Sequence, residues 1–156
     1  MDRNENPSHG DAVTVEMLSV MYRNVTMGSE SLSAVVPKIR DKKLMSSVTA
    51  QLEQYAEFTN RTGKLLRRRM VDPEEPSFLK KTMTRGGILL NTAFDSSDRH
   101  IAEMIAKGTK MGAQSLEDKL RVFEPQGCAR DAADLCREIV TFESEEAAKA
   151  ASYSAG

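Results

Sequence analysis

A near-repeat constrains this chain more than any other feature. The phrase MGSESL at Met27–Leu32 returns as MGAQSL at Met111–Leu116, 84 positions later. The register holds outward from both phrases without a gap. Met17 falls on Ile101, Met21 on Ile105, Asn24 on Gly108 and Gly28 on Gly112. Past the following turn, Val48 falls on Ala132, Leu52 on Cys136 and Tyr55 on Ile139. These positions recur at steps of three and four, the period of a helix with one buried face. The repeat unit is a helical hairpin, and the chain holds two of them.

Punctuation residues place the boundaries. Residues 1–11 are polar and broken by Pro7 and Gly10, and read as a flexible tail. A single domain then covers 12–150, with a hairpin over 13–71, a crossover over 72–96 and a second hairpin over 97–153. Pro37 marks the first turn, because the residue before a proline avoids helix. The second helix is expected from about Asp41 to Val71; at about 1.5 Å per residue it is roughly 45 Å long. DPEEP at 72–76 ends it, Asp95 to Asp98 supply N-caps for the third helix, and EPQG at 124–127 makes the last turn. The last residues, AAKAASYSAG, are expected to fray. A crossover of this length can run back along the bundle, partly as a helix over 77–94. Two hairpins so joined form an all-α, up-down-down-up four-helix bundle, the ferritin-like topology. Gly28 and Gly112, as repeat partners, are expected where the first and third helices approach closely.

Composition narrows the function classes. The net charge is -1, without the basic excess of a nucleic-acid binder. Cys128 and Cys136 form no CxxC pair and accompany no histidine cluster, which speaks against a zinc site or a disulfide framework. Reduced thiols fit a cytoplasmic protein. The polar N-terminus lacks the apolar stretch of a signal peptide, and no apolar run reaches the ~18 residues of a membrane span.

Short phrases then carry a resemblance: MYRN at Met21–Asn24, MG at Met27–Gly28, HIAEM at His100–Met104 and MG at Met111–Gly112. Over Val13 to Phe142 the chain resembles small, little-characterised ferritin-like four-helix-bundle proteins of bacteria. The resemblance implies the same frame. Metal-binding members of the wider class use a glutamate from each of two helices and an ExxH motif from each of the other two. This sequence departs from that pattern. Its two histidines are His9, in the tail, and His100, which begins the third helix where the pattern wants a lone glutamate. The middle layer is expected to be Asn24, Gly28, Tyr55, Gly108, Met111 and Ile139, a filled core without a carboxylate cage.

Candidate residues remain. His100 and Glu103 form an HxxE pair, half of a metal site; the simpler reading is a solvated helix N-terminus whose dipole favours Glu103. Glu143 lies at the edge of the last apolar stripe and is expected to reach water; if buried, it needs a partner or a raised pKa. Arg67 to Arg69 with Lys64 read as a helix C-terminus complementing its dipole. The methionines read as core filler, and Cys136 as a buried small hydrophobe. No Walker loop, GxGxxG or hydrolase triad is present.

The expected function is a non-catalytic bundle with a structural or protein-interaction role. It is expected to have no catalytic residues and no cofactor, with self-association or a protein partner through Phe78, Leu79, Leu89 and Leu90. One alternative is a divergent iron- or manganese-binding bundle using Glu30, Glu53, Glu57, Glu103, Glu143 and His100. Another is a module that binds a small apolar ligand in a cavity at the glycine-lined centre.

Overall fold

A computed structural model describes residues 8–73 and 97–156. Four long helices account for most of them: α1 (His9–Val35), α2 (Lys42–Arg68), α3 (Asp98–Phe123) and α4 (Arg130–Ala155). Short 3-10 turns at Val36–Lys38 and Glu124–Gln126 join α1 to α2 and α3 to α4. Among the described residues there is no strand. The proposed crossover helix over 77–94, with Phe78, Leu79, Leu89 and Leu90, lies outside the described residues.

Local chemistry sets the helix ends. Ser8 caps α1 by accepting from the backbone N–H of Asp11 at 3.1 Å, so the helix starts at His9 and not at residue 12 as expected. Ser8 followed three residues later by an acid is the pattern of a capping box, and it outweighs the breaker character of Gly10. Asp41 caps α2 through Leu44, and Ser97 caps α3 through His100. Helix α2 ends at Arg68, short of Val71. Its last carbonyls are closed by Met70 N–H to Arg67 and Val71 N–H to Leu66, with Met70 in the left-handed conformation at φ 60°. Gly127 takes φ 96° in the second hairpin turn, as a glycine readily does. The C-terminal residues expected to fray continue α4 as far as Ala155.

Contacts between the ends fix the helix directions. The Asp98 carboxylate at the start of α3 accepts the backbone N–H groups of Arg40 and Asp41 at 2.9 and 3.0 Å. At the end of α4, Tyr153 donates to Asp41 at 2.7 Å. At the opposite end, Arg69 pairs with Asp131, and Thr14 of α1 accepts the backbone N–H of Ala129 at 2.8 Å. The chain therefore runs up, down, down, up. Helix α1 lies beside α2 and α3, and α4 lies beside α3 and α2.

The core follows the repeat. Met17, Met21, Val48 and Tyr55 are buried, and so are their repeat partners Ile101, Ile105, Ala132 and Ile139. Each large apolar side chain so buried contributes about 1.5–3 kcal/mol relative to exposure. Phe142 packs edge-on against Tyr55, with ring centroids 5.4 Å apart, and against Phe58 at the same separation. These contacts hold the Tyr55 ring in the middle of the bundle.

Candidate functional site

The two repeat glycines show how the middle layer is built. A Cβ on Gly28 would lie 2.7 Å from Cζ of Tyr55, closer than real side chains approach. A Cβ on Gly112 would lie 3.1 Å from both the Asn24 amide nitrogen and a Glu143 oxygen. Each glycine thus admits a polar side chain from the helix that completes its own hairpin. Gly112 also admits Asn24 of α1, so the expected approach of α1 to α3 holds at Gly112, while Gly28 faces Tyr55 of α2. Gly108 differs again, with nothing within 4 Å of its missing Cβ.

Asn24, the repeat partner of Gly108, breaks the symmetry. Its amide reaches from α1 to α3 and donates to the Gly112 carbonyl at 3.1 Å. On the other side of that glycine sits Glu143. Contrary to expectation Glu143 does not reach water: it is 2% exposed, and Tyr55 donates a 2.9 Å hydrogen bond to its Oε1. The apolar stripe of α4 is wider than its outline suggested. Glu143 is one turn beyond Ile139, on the same inward face. Burial pushes its carboxyl up to about 7, against the opposing pull of the Tyr55 hydroxyl and the Asn24 side chain. Burial and the adjacent Glu143 in turn raise Tyr55 well above its usual range. Two buried oxygens in this cluster, Oδ1 of Asn24 and Oε2 of Glu143, have no hydrogen-bond partner. Buried groups of this kind are rare and ask for an explanation.

The layer is also less filled than expected. Met111 is 61% exposed, and between α1 and α3 runs a groove of about 770 Å³. Its walls are mostly apolar, with Leu32 and Val35 from α1, Ile105 and Leu116 from α3, and Met27, Met104 and Met111 along both. Gly108 lies in the wall and leaves it open; Tyr55, Asn24 and Glu143 are also part of the lining.

The other sequence candidates do not meet here. His100 lies near Glu103 at 3.7 Å at the start of α3, and Glu103 is half exposed. Glu53 and Glu57 are exposed on α2, while Glu30 lies on α1. Among the described residues no group of three or more His, Cys, Asp or Glu side chains could hold a metal ion. The surroundings of Glu143 are a phenol, an amide and a glycine, a poor donor set for iron or manganese. The carboxylates of the metal-binding alternative are thus dispersed over the bundle. Cys136 is fully buried, its thiol pushed up to about 12 by burial. Among the described residues no helix is long and apolar enough to cross a membrane.

No protein-family model, curated protein or solved structure matches this chain.

Proposed function

We propose that this protein is a non-catalytic, ferritin-like helical bundle that binds a small, largely apolar molecule in the groove between α1 and α3. The observation that carries this reading is a groove of about 770 Å³, apolar in its walls, whose lining includes a buried carboxyl. That volume lies in the usual range of small-molecule sites, as does the pairing of apolar walls with a few placed polar groups. The flexible thioethers of Met27, Met104 and Met111 suit a wall that adapts to its ligand. The up-down-down-up order supports the ferritin-like frame, while the dispersed carboxylates favour binding over metal chemistry.

A thermal-shift screen with apolar fragments tests the reading. A fragment at a hundred times its Kd stabilises by about 2.7 kcal/mol, or roughly 5–10 °C for a chain of this size. The Gly108→Phe variant, which fills the groove from its open side, is expected to lose the shift. Hits of equal size in both proteins would place binding elsewhere, and no hits at all would reject the reading.

A further inference from the structure

We propose that the groove ligand carries a nitrogen hydrogen-bond donor, in the simplest case a primary ammonium on an apolar body, which is received by Glu143 and Asn24. This rests on the groove being a binding site and adds the chemistry of the head group. Two donors in the cluster already have acceptors. The Tyr55 hydroxyl donates to Oε1 of Glu143, and the Asn24 amide donates to the Gly112 carbonyl. The Gly112 carbonyl also fixes which way the Asn24 amide faces, since only its nitrogen can meet an acceptor. The buried oxygens left without a partner are Oε2 of Glu143 and Oδ1 of Asn24. An ionised carboxylate or a phosphate head brings no N–H to either oxygen. An ammonium offers three N–H groups and satisfies both oxygens.

Glu143 is nine-tenths buried and more, so its charged form is costly until it has a partner. An arriving cation supplies that partner and favours the carboxylate. The groups packed around Glu143 are Tyr55 from α2, Asn24 from α1 and Gly112 from α3. Among them only Glu143 titrates near neutrality. Glu16, Arg23 and Lys119 also line the groove but are exposed, where water screens them.

Isothermal titration calorimetry with hexylamine, 1-hexanol and hexanoate, on the full chain at pH 6.5, tests the inference. Hexylamine is expected to bind at least about tenfold more tightly than either analogue, a factor that corresponds to about 1.4 kcal/mol. Its binding enthalpy should depend on the buffer, because a proton leaves Glu143. Glu143→Gln should remove both the preference for hexylamine over hexanol and the buffer dependence. Equal binding of all three probes, unaffected by Glu143→Gln, would overturn the head-group assignment and leave the groove reading standing. No binding by any probe, together with an empty fragment screen, would overturn both. The comparison of the three probes on the unaltered chain needs no variant to fold.

Discussion

The hydroxyl of Tyr55 donates to Oε1 of Glu143 at 2.9 Å, joining α2 to α4 in the middle of the bundle across a sequence separation of 88 residues. Burial of that carboxyl, against the opposing pull of the Tyr55 hydroxyl, makes stability depend on pH with an unusual sign. Glu143 titrates near 4.5 when unfolded and near 7 when folded. Below the lower value both states hold the proton, and its contribution to stability is fully present. Between the two values the unfolded chain has lost a proton that the native chain keeps, so stability falls as pH rises and levels off above 7. The loss is about 3 kcal/mol. Tyr55 stays protonated throughout, because its own pKa is raised. Urea denaturation from pH 5 to 8.5 should show this decline in the native protein and not in Glu143→Gln. Matching slopes would contradict it.

The glycines predict opposite outcomes at similar-looking helical positions. Gly28→Ala drives a methyl into the Tyr55 ring and should destabilise by about 1–3 kcal/mol, the usual range for overpacking. Tyr55→Leu should recover part of that loss, giving a non-zero coupling in a double-mutant cycle. Gly108→Ala meets open space and should stabilise by about 0.5–1 kcal/mol through helix propensity. Thermal denaturation of the four variants checks the ordering; a stabilising Gly28→Ala would refute the packing account.

Met70 closes α2 at φ 60° with its side chain 94% exposed. A non-glycine residue in that conformation costs about 1–2 kcal/mol, and here no burial offsets it. Met70→Gly should therefore raise stability by about 0.5–1 kcal/mol, the strain relieved being partly cancelled by the freer unfolded chain. A lowered melting temperature would show that the methionine makes a contact worth more than its strain.

The thiols should be slow. Burial holds Cys136 at about 12 and raises Cys128 as well, so little thiolate exists at pH 8. Ellman's reagent is expected to react slowly with the native protein and to titrate both cysteines in denaturant. Rapid native-state labelling of Cys136 would mean that α3 and α4 part more easily than their packing implies.

The hairpins and their order were legible because they rest on period and capping, which are local. Met17, Met21, Ile101 and Ile105 occupy the core positions their spacing predicts. Ser97, within the run of capping residues at 95–98, caps α3. The centre was less legible because its character is set between helices. Nothing near Glu143 in sequence shows that Tyr55 will reach it, or that Gly112 will make room. The signal available was its position one turn after Ile139, with a glycine repeat pair on the facing helices. Asn24 was visible as an inward residue of α1, but its bond to Gly112 depends on how closely α1 and α3 pack. The start of α1 was misplaced for a simpler reason. Gly10 has the character of a breaker, but Ser8 and Asp11 around it form a cap.

The most direct test of the groove is carbon-13 NMR of methionine methyls during titration with hexylamine. Met27, Met104 and Met111 line the groove, while Met17 and Met21 are fully buried and Met70 stands in solvent beyond the end of α2. The account predicts that the three groove methyls shift together and saturably while the Met70 methyl stays still. Unmoved groove methyls, or shifts confined to Met70, would contradict it.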